Sequence, residues 1–346
     1  MTLPSYLLRE TVPLETSDQV LILNSSADPF VPHAAHQVNS GTITLAEDNV
    51  AVLGECLRAL QGASADIHHA AFHDYLFLHP QETMTVAAMN LLYQPSNAWI
   101  HYGLQVAFHT LQPGGHLYVT GAKDRGILSL EKRMQTTFGN VRTLKISKGH
   151  RVISSQKVQT DSPQPLQEGP LRVFAGNQLD EGTRLLLGAI DVRATDTALD
   201  LGCGAGFIGL HLARLAPEGE VTMVDVSLAA VAETRSAVEQ SGLANIHVLP
   251  SDGAQAVLSQ RFDLVATNPP FHQGAAQTME IAERFIREAA QVLRSAGRLY
   301  LVANRFLKYE PQLRACFQTV KEVEGNTRYK VLCACEPLKS APSGQK

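Results

Sequence analysis

Ala198-Leu-Asp-Leu-Gly-Cys-Gly-Ala-Gly206 carries an apolar run straight into glycines at 202, 204 and 206. That pattern predicts a buried strand ending in a tight turn, where backbone approaches a ligand with no Cβ in the way, and then a helix. Glu220-Val-Thr-Met-Val-Asp225 predicts a second strand, ending in a carboxylate suited to accept hydrogen bonds from a ribose diol. Together they imply a nucleotide-like cofactor without choosing one. A glycine turn with an acid about 20 residues on also describes nicotinamide enzymes.

Phe262-Asp-Leu-Val-Ala-Thr267 reads as another buried strand and delivers Asn268-Pro-Pro-Phe271 at its carboxyl end, where α/β sheets put their chemistry. Pro269 and Pro270 lock the backbone after Asn268 and turn its polar groups outward rather than into a sheet ladder. Before this rear half, the chain of 346 residues holds a worn copy of it. Asp18–Asn24 matches Asp196–Gly202 at an offset of 178, and at that offset Gly41–Glu47 falls on Gly219–Asp225. Asp74–Pro80 aligns with Asp263–Pro269, and Leu111–Tyr118 with Leu293–Tyr300. Asn24, Ser26 and Asp28 stand in place of the three glycines, and His79-Pro-Gln81 in place of Asn268-Pro-Pro. Side chains there occupy the room a cofactor needs.

These motifs resemble the class I S-adenosylmethionine (SAM) methyltransferases that modify an exocyclic or amide nitrogen. With the duplicated front half, the chain is most similar to the two-domain ribosomal RNA guanine-N2 methyltransferases, of the small-subunit type and with large-subunit relatives. The resemblance implies an α/β protein of two tandem Rossmann-like class I methyltransferase domains, the N-terminal one degenerate. Expected boundaries are a degenerate, substrate-holding domain over 1–158, a linker over 159–170, a catalytic domain over 171–338 and a tail over 339–346. The linker expectation rests on a polar run, Gln159–Pro170, with three prolines.

The resemblance also implies roles. Backbone N–H groups of Gly202, Gly204 and Gly206 meet the cofactor's carboxylate, Asp200 faces its ammonium, Asp225 takes the ribose hydroxyls and Asp252 accepts from the adenine amino group. Asn268 borders the cofactor and, with the carbonyl of Pro269, accepts from the guanine amino group; Pro270 stiffens the turn and Phe271 stacks on the base. Arg172 and Ala175 depart from a glycine and a serine common in the family, and no role is carried onto them. Asp180-Glu-Gly-Thr-Arg-Leu-Leu-Leu187 reads as a helix start, acidic near the dipole with an apolar run behind.

The five cysteines (Cys56, Cys203, Cys316, Cys333 and Cys335) are scattered, and no signal peptide or long apolar span is evident. A reduced, soluble, cytoplasmic protein without membrane or metal is expected. His69 and His73 have helical i, i+4 spacing, yet no Glu stands between them and His73 reads as strand entry. The net charge is −4, but Lys123, Arg125, Lys132, Arg133, Arg142, Lys145, Lys148, Arg151 and Lys157 face only Asp124 and Glu131. Such a run fits either one RNA-binding surface or solvated charge. Asn304 and Arg305 follow a strand, where RNA contact and ordinary solvation both fit.

The leading expectation is therefore methyl transfer from SAM to N2 of a guanine in ribosomal RNA, with ribosomal RNA or a ribosomal subunit as partner. Alternatives with the same cofactor take a large-subunit guanine, an adenine amino group or a protein glutamine as acceptor. A nicotinamide oxidoreductase would leave Asn268-Pro-Pro-Phe idle, and a non-catalytic RNA-binding protein would not need the glycines.

Overall fold

The computed structural model describes residues 2–158, 167–173, 179–270 and 275–338. The chain divides into two compact units, Met1–Leu171 and Arg172–Lys346. Among the described residues each unit is built on one seven-stranded sheet.

The front sheet contains β1 (Gln19–Leu23), β2 (Thr42–Ala46), β3 (Asp66–Ala70), β4 (Met84–Asn90), β5 (Leu111–Ala122), β6 (Arg142–Ser147) and β7 (His150–Gln156), in the order β3-β2-β1-β4-β5-β7-β6. The rear sheet contains β8 (Ala198–Leu201), β9 (Val221–Asp225), β10 (Ile246–Pro250), β11 (Phe262–Thr267), β12 (Leu293–Asn304), β13 (Phe317–Gly325) and β14 (Tyr329–Pro337), in the order β10-β9-β8-β11-β12-β14-β13. The first five strands of each run parallel; β7 and β14 lie antiparallel beside β5 and β12. The apolar runs explain this. Val20 to Leu23 are all buried, as are Leu264 to Ala266, because helices cover both faces of such a sheet.

In the rear unit one face packs on the helix Ala275–Val292 through Ala282, Phe285, Ile286 and Ala289. The other face packs on the helices Glu181–Ala189 and Phe207–Leu215 through Leu186, Ile208 and Leu212. Strand order reverses between β8 and β11, so the crevice outside their carboxyl ends is where this architecture binds ligands.

Equivalence of the two sheets holds down to register. Val20–Val86, Leu21–Ala87 and Ile22–Ala88 in one sheet repeat as Ala198–Leu264, Leu199–Val265 and Asp200–Ala266 in the other, 178 positions on. This corrects one sequence alignment. Asp74–Pro80 is not the counterpart of Asp263–Pro269: it holds a short helix, Tyr75–Leu78, and β4 takes the place of β11. The front equivalent of Asn268-Pro-Pro-Phe is therefore Asn90-Leu-Leu-Tyr93, and His79-Pro-Gln81 has no such standing. The histidine reading changes too. His69 sits on β3, while His73 is buried in a turn with Nδ1 3.5 Å from Asp48 and Nε2 3.7 Å from Asp74, so the two share no helix face.

The basic run is less available than its composition suggests. Lys145 pairs with Glu10 at 2.6 Å, Arg151 with Glu131 at 3.2 Å, and Lys157 is buried 3.3 Å from Glu82 and 5.0 Å from the Phe108 ring centre. Lys123, Arg125, Lys132, Arg133, Arg142 and Lys148 are exposed. Most of the expected linker and all of the expected tail, 159–166 and 339–346, lie outside the described residues, as does Ala175.

Candidate active site

Three strand ends converge at the switch point of the rear sheet. Gly202 follows β8, Asp225 closes β9 and Asn268 follows β11. Gly202, Gly204 and Gly206 adopt φ of 79°, 53° and 82°, left-handed backbone that side chains resist. A Cβ at Gly202 would come 3.1 Å from the Phe285 ring, and one at Gly206 3.0 Å from Thr234 Cγ2. At these two positions the core itself demands glycine.

The glycine amides are not the free donors the resemblance implies. Gly202 N–H donates to Val224 O at 2.9 Å, Gly204 N–H to Asp225 Oδ2 at 2.9 Å and Gly206 N–H to Cys203 O at 2.8 Å. Thr234 Oγ1 adds a 2.8 Å bond to Gly204 O, so the loop holds its own shape. What remains for an anion is the start of the helix Phe207–Leu215, where the amides of Phe207 and Ile208 have no intrahelical acceptor.

Asp200 lies within β8. It is fully buried, and Oδ2 accepts from the Gly209 N–H at 2.8 Å, while Oδ1 has no partner among the described residues. Burial pushes its carboxyl up to about 7; the Gly209 N–H opposes the shift and the nearby Asp225 charge adds to it. Oδ2 ties down the turn at Gly209, and Oδ1 is left as an enclosed acceptor. Asp225 is half-buried, with Oδ1 accepting from Ser227 N–H at 2.9 Å beside the Gly204 bond. A carboxylate has lone pairs for further donors, which suits a diol. Asp252 lies 2.6 Å from the Arg284 guanidinium through Oδ1, so it is an ion-paired acceptor rather than a lone one.

Asn268 is half-buried. Its Nδ2 donates to Thr183 Oγ1 at 2.8 Å, and its Oδ1 is enclosed without a partner among the described residues. Pro269 is buried and Pro270 exposed, while Phe271 lies outside the described residues. An enclosed acceptor without a donor costs on the order of 1–3 kcal/mol, which an N–H brought to it would recover.

In the front unit the same positions are filled. Asn24 keeps a left-handed φ of 43°, and Glu47 Oε2 accepts from Ser26 N–H at 3.1 Å, as Asp225 does from Gly204. Asp28 takes the Asn90 Nδ2 at 2.6 Å, and Asn90 Oδ1 accepts from Leu92 N–H at 3.0 Å. The retained asparagine has spent both ends of its amide.

Residues 169–333 match the family model of the methyltransferase small domain. A Shewanella loihica protein named ribosomal RNA small subunit methyltransferase C is 30% identical, over 95% of this chain and 97% of its own. The chain belongs to the ribosomal RNA small subunit methyltransferase C family. A relative of that name from Hamiltonella defensa is 40% identical over 46% of this chain and 47% of its own. A solved T. thermophilus 16S rRNA N2 G1207 methyltransferase, in complex with AdoMet and guanosine, superposes with a TM-score of 0.78 at 26% identity, covering 96% of this chain and 91% of that one.

For a member of the methyltransferase C family, the residues that sequence reading passed over are Thr183, Asp180 and Thr234. Asp180 and Thr183 were visible as a helix start; their reach to Asn268, 85 positions on from Thr183, was not. No helix among the described residues is long and apolar enough to cross a membrane.

Proposed function

We infer that this chain transfers a methyl group from SAM to the exocyclic N2 of a guanine in small-subunit ribosomal RNA. The observation that carries the reading is Asn268 Oδ1, an enclosed acceptor at the strand-end turn with no partner among the described residues, in a chain of this family. The residues fit the cofactor. The helix start at Phe207 and Ile208 suits its carboxylate, Asp225 its ribose and Asp252, held by Arg284, its adenine amino group.

When bound, SAM supplies a methyl group already activated by its sulfonium, so the protein's work is alignment and exclusion of water. Guanine N2 shares its lone pair with the ring and is a poor nucleophile. Asn268 Oδ1 and the Pro269 carbonyl each accept from the amino group, turning the lone pair out of conjugation as positive charge grows on nitrogen. Preorganised dipoles of this kind contribute on the order of 3 kcal/mol each in a dry site. Phe271 ends the same Asn-Pro-Pro-Phe run and is assigned the stacking face for the extruded base, worth roughly 1–3 kcal/mol.

The front unit, its equivalent positions occupied by its own side chains, is assigned to holding RNA rather than cofactor, with residues 1–158 as that domain and 171–338 as the catalytic one. A ribosomal RNA substrate puts the enzyme in the cytoplasm. Radiolabelled SAM and undermodified small subunits test the reading: nuclease digestion should release labelled N2-methylguanosine. Label in a methyladenosine or in protein would overturn it.

A further inference from the structure

Turned by 180° about its last bond, a carboxamide has nearly the same shape but the opposite hydrogen-bonding sense. A flipped Asn268 would present N–H groups to the amino group it is meant to receive. The choice is made by two residues on another element.

Asp180 caps the helix Glu181–Ala189, Oδ1 accepting from the Thr183 N–H at 2.9 Å. Its Oδ2 lies 2.5 Å from Thr183 Oγ1 and, being a carboxylate oxygen, can only accept there. Thr183 is buried, and its hydroxyl has a single proton, which this bond consumes. Toward Asn268, 2.8 Å away, Oγ1 is left as an acceptor, so nitrogen must face it. Asp180 Oδ2, 3.5 Å from the same Nδ2, favours that nitrogen as well. Asn268 Oδ1 is then the atom that points away, and it is the one with no partner among the described residues.

The footing is firm. Gly182 lies beneath the carboxylate, where a Cβ would come 3.1 Å from Asp180 Oδ1 and 3.3 Å from the Tyr329 ring. Glu181 binds Asn326 Nδ2 at 3.1 Å and Arg328 Nη1 at 2.7 Å, fastening the helix start to the turn between β13 and β14.

We propose that Asp180 and Thr183 are positioning residues that lock the Asn268 carboxamide with its oxygen toward the acceptor nitrogen, so that the site takes an amino group and refuses a carbonyl. The relay acts on turnover and not on cofactor affinity. It rests on the reading of Asn268 as acceptor of the guanine amino group.

Steady-state methylation of undermodified small subunits, with SAM titration and thermal unfolding on the same proteins, tests it. Thr183→Val, of near-equal volume, should lower kcat about 10- to 100-fold while KM for the subunit and Kd for SAM stay within about twofold. Thr183→Ser, which returns the hydroxyl, should recover kcat to within about threefold of the parent. Asp180→Asn keeps a good helix cap yet removes the obligate acceptor, and should lose kcat as Thr183→Val does. The proposal fails if Thr183→Val turns over like the parent, if serine does not restore it, or if the loss is matched by weaker SAM binding or a lower melting temperature. Asn268→Ala separates the two readings: active, it removes the acceptor assignment itself; inactive beside an active Thr183→Val, it removes the relay alone.

Discussion

At Asn268 the chain leaves a buried strand and is stiffened at once by two prolines, which hold the Asn268 backbone to extended conformations. Asn268→Ala should abolish RNA methylation and leave SAM affinity within about twofold by calorimetry. Asp225→Ala should do the opposite. With the carboxylate assigned to the ribose removed, SAM affinity should fall about 10- to 100-fold. Asp200 gives a pH signature. Its folded value of about 7 lies above the ordinary carboxylate range, so the folded state holds a proton the unfolded chain has already shed. Its contribution is therefore full below about pH 4 and is lost as pH rises toward 7, a loss on the order of 4 kcal/mol. Asp200→Asn should flatten urea-unfolding stability across that window. An unchanged slope would show that the buried carboxyl titrates normally.

The paired loops into β2 and β9 show how closely the two units repeat one solution. A Cβ at Gly41 would stand 2.1 Å from Asp18 O, and one at Gly219 2.0 Å from Asp196 O. Neither backbone can retreat, because each carbonyl belongs to the turn that opens β1 or β8. Gly219→Ala should cost about 2–3 kcal/mol of stability in a denaturant titration, and Gly41→Ala as much. The glycine turn after β8 follows the same logic. Its strand and helix were legible in the apolar run and the glycines, whereas the partners of the Gly202 and Gly204 amides were not, since Val224 and Asp225 come from another strand.

Among the described residues, two sheets of one topology carry left-handed glycines at the switch point of the rear sheet and side chains at the equivalent positions of the front one. Calorimetry should return one SAM site per chain, and two equal sites would contradict the filled state of the front positions. RNA affinity should depend on the exposed cations of the front unit despite the net charge of −4. Arg125→Glu with Lys132→Glu should weaken RNA binding and make its salt dependence shallower, by about one unit for each phosphate no longer neutralised. Lys145, Arg151 and Lys157 are neutralised at home, and their replacement should alter stability before RNA binding.

The sequence alone determined the strand-turn-helix around Gly202, the acid at the end of β9, the Asn268 turn and the duplication, because each is written in local periodicity or in a constant offset. It misplaced the front counterpart of Asn268, since a short apolar segment at 74–80 imitates a strand until real sheet pairing chooses β4. Tertiary structure alone decided which groups are spent: the amides of Gly202 and Gly204 on β9, one oxygen of Asp200 on Gly209, six of nine cations left exposed, and Asp180 with Thr183 on Asn268. The hold of β9 on the glycine turn and the reach of Thr183 to Asn268 depend on hydrogen bonds between residues that lie far apart along the chain. A donor has one proton to give, and only the folded chain settles where it goes.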